Sequence, residues 1–325
     1  MPLTTPPPPA PTPAPTPAPL VGHMQLKLQH VHGHPRFSLT GERVVVRGVI
    51  LPYVAGEKIT VSFYRNGAKA SEKTVSVLPV GNGAGQFHVG YASPRTGLVS
   101  VRATHDPSPQ LGAFAAKSAS VRIVPSIMSQ GASGPAVRLL QSELNALSYA
   151  VPLNSQFDAA TGRAVVAYRK LTGLARVPDT NARMFHLLQQ GAGRFHVRYR
   201  ADGRHVEADL TRQVLAEINP GGKVRRIYTI SSGKPSTPTV IGRFRVYSKT
   251  PGTNAKGMVD SNYFIRGYAI HGYAEVPNYA ASHGCLRVPV PDAPAIYSWV
   301  QLGYPVDVYN ESGGGSHKVR HNAGP

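Results

Sequence analysis

Short runs of alternating apolar and polar positions fill the first part of the chain, in residues 24–125. Such alternation places successive side chains on opposite faces of an extended strand, and turn residues separate the runs. The pattern predicts about seven strands, in a small antiparallel sandwich of immunoglobulin-like type without a catalytic cluster. The runs are MQLKLQHV, ERVVVRGVIL, KITVSFYRNG, TVSVLPV, GQFHVGY, LVSVRATH and ASVRIV.

The apolar period becomes helical in residues 126–192. Two amphipathic segments, GPAVRLLQSELNALSY and TGRAVVAYRKLTG, each carry apolar residues on one face, and Gly173 can cap the second. We expect a third short helix at 180–190, which completes a small three-helix bundle. The apolar faces are Val137, Leu140, Leu144 and Leu147 in the first segment and Ala164, Val165, Tyr168 and Leu171 in the second.

Strand patterns return in residues 195–310, so this region is predicted to be rich in β-structure. A short helix is expected at 292–301, with Asp292 as a candidate N-cap and with Ile296 and Val300 four positions apart. The predicted strand segments are RFHVRYR, HVEADLTRQVLAEIN, KVRRIYTISSG, GRFRVYSKT, YFIRGYAIHG and YPVDVYN.

Both ends of the chain have compositions that cannot build a core. Residues 1–23 carry ten of the thirty prolines, which favours extended polyproline helix and indicates either a spacer or a disordered tail. Residues 311–325 read as a solvated tail. We find neither a recognisable export signal nor an apolar stretch long enough for a membrane span in the sequence as given.

Charge narrows the choice of partners. A net charge of +19 and an isoelectric point near 10.2 favour polyanions, which include nucleic acid and anionic cell-wall polymer. The basic residues are scattered singly, whereas nucleic-acid-binding proteins cluster them on one element beside exposed aromatic residues. We therefore expect a wall polymer and no nucleic acid. The length of 325 residues and 41% hydrophobic content indicate several domains.

The only cysteine of the chain, Cys285, lies close in sequence to two histidines, His271 and His283. A thiol with a pKa of about 8.5 needs a neighbouring imidazole or backbone dipole to react as a thiolate. Gly284 allows the backbone to turn so that amides near the sulfur can stabilise an oxyanion. Arg287 follows at a distance suited to gripping a carboxylate. These residues predict cysteine-based acyl transfer.

Two other interpretations of the cysteine segment remain open at this stage. One is an inert buried thiol with incidental loop histidines, which is the usual state of an isolated cysteine. The other is a zinc site with His271, His283 and Cys285 as ligands, although two of these flank a single glycine and make an awkward chelate.

The run AIHGYAEVPNYAASHGCLRV closely resembles the catalytic motif of the L,D-transpeptidases, cysteine enzymes that cross-link bacterial peptidoglycan. The resemblance extends over roughly 196–309 and implies a β-rich catalytic domain that needs neither metal nor organic cofactor. It implies attack on a stem tetrapeptide, loss of its terminal D-residue, a thioester intermediate and a 3→3 cross-link. An L,D-carboxypeptidase, a wall-peptide hydrolase using the same cysteine and a non-catalytic wall-binding module remain alternatives.

The same resemblance implies a role for each residue of the site. Cys285 is the nucleophile, His271 the base, and the carbonyl of Gly272 orients the imidazole. The remaining roles are these: Ser282, His283 and Gly284 complete the loop, the amides of Gly284 and Cys285 form the oxyanion hole, Arg287 holds substrate, and Tyr263 and Phe264 line the donor cleft.

The helical region resembles the peptidoglycan-binding domain found beside many wall enzymes, through GPAVRLLQSELNALSY and FDAATGRAVVAYRKLTGL. Together the two resemblances imply an exported protein of the cell envelope that acts on peptidoglycan stem peptides. The expected organisation is a spacer at 1–23, a sandwich at 24–125, a helical domain at 126–192, a catalytic domain at 195–310 and a tail at 311–325.

Overall fold

The structure of the protein is a computed structural model that describes residues 17–29, 31, 35–311 and 313–314. The chain divides into two compact units, Met1–Val31 with Gly41–Ile123 and His32–Thr40 with Val124–Pro325. The predictions for residues 1–16 of the spacer and for residues 312 and 315–325 of the tail lie outside the described residues.

In the described residues, the first unit is built from nine strands, β1 and β3 to β10 in chain order. Strand β2 belongs to the second unit. One sheet has the order β1-β3-β7-β6, and another contains β10-β8-β4-β5 with β9 also paired to β8. The strands are β1 (His23–Gln29), β2 (Phe37–Leu39), β3 (Arg43–Leu51), β4 (Lys58–Arg65), β5 (Ala68–Ser76), β6 (Leu78–Gly81), β7 (Ala84–Ala92), β8 (Gly97–His105), β9 (Phe114–Lys117) and β10 (Val121–Val124).

Alternating side chains of both sheets in the first unit form one hydrophobic core, which includes Val46, Phe63 and Val101. The predicted strand TVSVLPV is divided between β5 and β6, and most of β5 was not predicted. Because β5 is an edge strand whose side chains are mostly exposed, its sequence AKASEKTVS shows little apolar alternation. The immunoglobulin-like type of this unit stays a prediction.

The second unit contains three helices before its sheets: α1 (Pro135–Ala146), α2 (Ala159–Leu171) and α3 (Ala182–Gln189). Asp158 caps α2 by accepting a hydrogen bond from the Thr161 amide at 2.8 Å. Gly173 lies just past the end of α2 with φ +70°, and the Leu174 amide donates back to the Arg169 carbonyl at 2.9 Å. This left-handed closure is the one that a glycine favours after a helix.

Two further sheets and a short helix complete the second unit. One sheet has the order β13-β12-β11-β19-β14, with β20 paired to β19, and the other has the order β15-β16-β17-β18. The elements are β11 (His205–Asp209), β12 (Val214–Asn219), β13 (Lys223–Thr229), β14 (Gly242–Arg245), β15 (Ser248–Thr253), β16 (Val259–Ile265), β17 (Tyr268–Tyr273), β18 (Leu286–Pro289), α4 (Ala293–Trp299), β19 (Pro305–Asn310) and β20 (Gly313–Gly314).

Strand β12 shows how the helices join this part of the chain. Its residues Val214, Ala216 and Ile218 lie in one core with α1, α2 and α3, whereas Leu215 lies in a second core with both sheets and α4. A strand that is buried on both faces has a nearly continuous apolar sequence. VLAEIN fits this pattern apart from Glu217 and the last residue, Asn219. The helices and the two sheets therefore share continuous packing.

Two local predictions in this unit are wrong. Residues 194–200 form no strand; Phe195 and Val197 are buried, but the amides of Arg198 and Tyr199 donate to the Glu207 carboxylate instead of a neighbouring strand.

The second wrong prediction concerns Asp292, whose side chain makes no cap hydrogen bond to α4. It accepts two hydrogen bonds of 3.0 Å from Arg163 of α2, because a bidentate ion pair competes successfully with a single capping bond. Ile296 and Val300 are both buried in the core, as the pattern predicts. Among the described residues, none of the helices has the length and apolarity needed to cross a membrane.

Candidate active site

Strands β17 and β18 run parallel and bring the cysteine segment next to the first histidine. His271 lies directly opposite Arg287 in this pair. Cys285 comes immediately before β18 and two residues before Arg287, so strand alternation gives it the same face. All three side chains line one cavity of about 280 Å³.

The His271 ring is buried and held by its own strand. Nδ1 lies 2.9 Å from the carbonyl oxygen of Gly272. Because a carbonyl can only accept, Nδ1 carries the proton and donates, and Nε2 keeps its lone pair. Burial lowers the pKa of His271 below its ordinary value, so the ring is neutral at pH 7 and able to accept a proton.

The Cys285 thiol is partly exposed at the cavity wall. Burial raises the pKa of Cys285, while the positive charges of Arg287 and Lys256 act in the opposite direction. Its sulfur lies 3.8 Å from the carbonyl oxygen of Gly267. The resting site therefore holds a neutral thiol and a neutral imidazole in one cavity, and the thiol needs a base when it reacts.

Ser282 closes the loop that carries the cysteine. Its hydroxyl donates to the Cys285 carbonyl at 2.6 Å and accepts from the Gly284 amide at 3.0 Å. The Gly284 amide is thus occupied inside the loop. The Ser282 hydroxyl would compete with an oxyanion for this proton, so the expected oxyanion hole of the Gly284 and Cys285 amides stays a prediction.

Gly284 is required at its position for two reasons. Its φ of +118° is one that residues with a side chain rarely adopt. A Cβ atom there would also lie 2.1 Å from the ring of Tyr268, which is another wall of the cavity. Any larger residue would displace either the loop or the ring.

A second loop, residues 231–239, supports the cysteine loop from behind. The Ser232 carbonyl accepts from the amides of Ala281 and Ser282, at 2.8 and 2.9 Å. The Lys234 amide and the Thr237 hydroxyl both donate to the Ser282 carbonyl, at 2.9 and 3.1 Å. The backbone amide and carbonyl of Ser282 are therefore both held by hydrogen bonds from a separate segment.

His283 also borders the cavity, but its setting differs from that of His271. The ring is exposed, and its Nε2 lies 3.4 Å from the Lys234 ammonium. An ammonium can only donate, so this contact engages the lone pair that a base would use. The geometry favours His271 as the base.

The aromatic residues of the cavity differ from those predicted. Phe264 is fully buried in the core, and Tyr263 does not line the cavity, since its hydroxyl accepts from the Asn254 side chain at 3.3 Å. Tyr268 and Tyr273 line it instead, and the Arg287 guanidinium lies 4.1 Å from the centre of the Tyr273 ring. Both tyrosines flank AIHG on β17, so their closeness to His271 in the sequence could have identified them as cavity residues.

Lys256 and Met258 also line the cavity, and sequence reasoning missed them because they lie in the distant connection between β15 and β16. The side chains that line the cavity include two cations, Lys256 and Arg287, and no carboxylate among the described residues. Such a cavity attracts an anionic ligand.

The described part of the chain contains no group of three or more His, Cys, Asp or Glu side chains placed to hold a metal ion. The alternative zinc site of His271, His283 and Cys285 is therefore not formed. A larger cavity of about 460 Å³ lies on the other side of Tyr273, lined mainly by apolar residues and without a cysteine or histidine.

Comparison with known proteins gives one family for the region that contains this site. Residues 203–308 match the YkuD family, described as the L,D-transpeptidase catalytic domain. No curated protein matches the chain.

Among solved structures, an L,D-transpeptidase from Xylanimonas cellulosilytica is 32% identical, with 57% of this chain and 98% of that chain covered and a TM-score of 0.53. An L,D-transpeptidase from Stackebrandtia nassauensis is 19% identical, with 56% and 94% covered and a TM-score of 0.36. The matched family region holds both His271 and Cys285, and the first of these proteins is covered almost completely; the chain belongs to the L,D-transpeptidase family.

Proposed function

We propose that the protein forms 3→3 cross-links in peptidoglycan through a thioester on Cys285. The observation that carries this proposal is the arrangement of His271, whose Nδ1 is held by Gly272 while the same cavity contains the only thiol of the chain. Buried, oriented and neutral, this imidazole has the properties of a general base for a neighbouring cysteine.

In the first step, His271 Nε2 takes the thiol proton as the sulfur attacks the carbonyl carbon before the terminal D-residue of a stem tetrapeptide. The Cys285 amide is the donor we assign to the resulting oxyanion, since the Gly284 amide is engaged by Ser282. The C–N bond then breaks, the leaving amine takes the proton from His271, and the peptide stays on the sulfur as a thioester.

In the second step, an amine of another stem peptide attacks the thioester. This amine loses a proton to His271, the C–S bond breaks, and the proton returns to the sulfur. If water replaces the amine, the same site works as an L,D-carboxypeptidase. Neither step requires a metal or an organic cofactor.

Substrate recognition follows from the charge of the cavity. Arg287 and Lys256 are placed to bind a carboxylate of the stem peptide, and the stacking of Arg287 on Tyr273 limits the motion of the guanidinium. The net charge of +19 further suits an anionic wall polymer. We accordingly place the protein in the cell envelope after export, with peptidoglycan as its partner and the helical region as a candidate wall contact.

The test is incubation of the wild type and Cys285→Ala with a disaccharide-tetrapeptide, followed by intact-protein mass spectrometry and product analysis. A Cys285-dependent thioester, a released D-residue and a 3→3 dimer are expected. Released D-residue without dimer would mean carboxypeptidase activity. If the wild type gives neither adduct nor product but still binds purified wall, the enzyme proposal fails and the protein is interpreted as a wall-binding module.

Two histidine variants separate the base from its neighbour. His271→Asn is expected to lower the acylation rate by roughly a hundredfold or more, the usual contribution of a general base. His283→Asn should lower it by less than His271→Asn does. The opposite order would assign the base to His283.

A further inference from the structure

A buried cation in helix α2 is not used by the proposed reaction. The side chain of Lys170 is 1% exposed, although lysines are rarely buried so completely. Its Nζ donates to the Gln213 carbonyl at 3.1 Å, the Thr229 hydroxyl at 2.6 Å and the Ile230 carbonyl at 2.9 Å. All three acceptors are neutral, so the lysine is held by hydrogen bonds to the catalytic sheet.

The segment that Lys170 holds leads directly to the strand after the cysteine. Ile230 precedes Ser231, whose amide and carbonyl both pair with Arg287 at 3.0 Å. The side chain of Gln213, whose carbonyl Lys170 binds, accepts from the Ser232 amide at 2.9 Å and donates to the Ser232 hydroxyl at 2.6 Å. Lys170 thus holds one backbone segment at two nearby residues, directly at Ile230 and through Gln213 at Ser232.

This segment in turn holds the cysteine loop. The Ser232 carbonyl accepts from the Ser282 amide at 2.9 Å, and the Ser282 hydroxyl binds the Cys285 carbonyl at 2.6 Å. Hydrogen bonds, joined through Gln213, Ser232 and Ser282, therefore link the ammonium of the helix to the backbone carbonyl of Cys285.

A second contact from the same helical region reaches the connection between His271 and Cys285. The Arg176 guanidinium donates to the Asn278 carbonyl at 2.6 Å, and the Asn278 side chain donates to the Arg176 carbonyl at 2.7 Å. Arg176 also donates to the Thr211 carbonyl at 3.0 Å. The helical region thus holds both segments that determine where the catalytic pair lies.

We propose that Lys170 is a positioning residue for acyl transfer, and that the helical region is a part of the catalytic unit through the bonds of Lys170 to Gln213, Thr229 and Ile230. This inference rests on the proposed function and adds a residue from outside the matched catalytic domain, 203–308. A wall-binding module without this role would affect only the affinity for the polymer.

The chemistry of the site explains why a lysine is used. A protonated ammonium has three donors, which equals the number of acceptors that face it. Burial, together with the positive charge of Arg176, lowers the pKa of Lys170 to about 7. Below that pH all three acceptors receive a hydrogen bond from the ammonium. An apolar replacement removes these three bonds, although the Gln213 carbonyl keeps a second donor, the Ile230 amide at 3.0 Å.

The test compares Lys170→Met with Lys223→Met, a change of an exposed lysine in the same unit. Fluorescence of Trp299, the only tryptophan, first shows that the second unit is folded. Lys170→Met is expected to lower kcat for the disaccharide-tetrapeptide roughly tenfold to a hundredfold with little change in KM, since small displacements of catalytic groups cost that much. Lys223→Met should resemble the wild type.

The rate of Cys285 alkylation by iodoacetamide, measured against pH, is an independent readout because the chain has no other thiol. Lys170→Met should shift this profile, and an unchanged profile together with an unchanged kcat would overturn the proposal. If the wild type forms no product, the proposed function fails, and the alkylation profile still decides the role of Lys170.

A milder variant covers the case in which Lys170→Met does not fold. Thr229→Val keeps the shape of the side chain and removes one acceptor, the bond of 2.6 Å. A smaller loss of kcat in the same direction, with a shifted alkylation profile, supports positioning. A folded Thr229→Val protein with wild-type values for both would overturn the part of the proposal that assigns positioning to the bond between Lys170 and Thr229.

Discussion

Ser282→Ala is the change that tests most directly how the reactive loop is held. The Ser282 side chain is 1% exposed and makes two hydrogen bonds inside the loop, to the Cys285 carbonyl and from the Gly284 amide. Alanine removes both and introduces no new contact. At about 0.5–1.5 kcal/mol for each bond, the free energy of unfolding of the second unit should fall by about 1–3 kcal/mol.

The same loss has a predictable effect on the reaction. If the two bonds hold the loop in the reactive arrangement, a change of about 2 kcal/mol lowers the population of that arrangement by roughly thirtyfold. The rate of thioester formation on Cys285 should fall by the same order. Because the freed loop exposes the thiol, the burial that raises the pKa of Cys285 is relieved, and this pKa should fall.

Three measurements check this chain of reasoning. Trp299 fluorescence in urea gives the stability of the second unit, mass spectrometry gives the acylation rate, and alkylation against pH gives the thiol pKa. Ser298→Ala is the matched control, since its exposed hydroxyl also donates to a backbone carbonyl, that of Pro294 at 2.8 Å. Equal stability and equal acylation for the two variants would refute the role of Ser282.

Three further predictions follow from other contacts in the second unit. Gly284→Ala should abolish acylation, because its Cβ would lie 2.1 Å from the Tyr268 ring and φ is +118°. Arg163→Met should destabilise the unit by about 1–3 kcal/mol at pH 7, since it leaves the partly buried Asp292 carboxylate without its ion-pair partner. Burial already raises the pKa of Asp292, and the variant raises it further, so this loss should shrink as the pH falls toward 4. The pKa of Lys170 is about 7 in the folded protein and 10.5 in the unfolded chain. Between these pH values only the unfolded chain keeps this proton, so the free energy of unfolding should rise as the pH increases from 7 to 10.5.

Each of these predictions has a control and a contradictory outcome. Gly303→Ala shares a positive φ, +82°, but meets no atom within 4 Å, so acylation comparable to Gly284→Ala would exclude the ring clash as the cause. For the ion pair, the double variant Arg163→Met with Asp292→Asn should regain stability in urea at pH 7. A double variant as unstable as Arg163→Met would contradict the argument from the unpaired Asp292 charge. For the lysine, the increase of unfolding free energy with pH should be absent in Lys170→Met, measured by Trp299 fluorescence in urea at several pH values. If the variant keeps the increase, a group other than Lys170 causes it.

Local chemistry made some features predictable from the sequence. The helical period located α1, α2 and α3, since an amphipathic face must be buried, and Gly173 ended α2 because only glycine adopts a left-handed φ readily. The run AIHG…SHGC indicated a cysteine site because its residue types are those that activate a thiol. The family membership predicted from that run is confirmed.

Other features depended on which distant segments meet. RFHVRYR alternates like a strand but has no neighbouring strand, because the Glu207 carboxylate takes two of its amides. Asp292 is a residue type that commonly caps helices. Its carboxylate instead accepts two hydrogen bonds from Arg163 of another helix, whereas capping would give it only one. Tyr263 and Phe264 are neighbours in sequence, and neither lines the cavity. Phe264 packs in the core, and the Tyr263 hydroxyl accepts a hydrogen bond from the Asn254 side chain.

The sequence by itself determined most of the elements and the reactive residue types, because strand alternation, helix faces and thiol chemistry are properties of neighbouring positions. Only the tertiary structure decided which histidine is oriented by a carbonyl and which loop amide is already occupied. It also decided that Lys170 of a helix donates three hydrogen bonds to the catalytic sheet. The physical reason is that hydrogen bonds and burial select among partners that the chain separates by tens of residues.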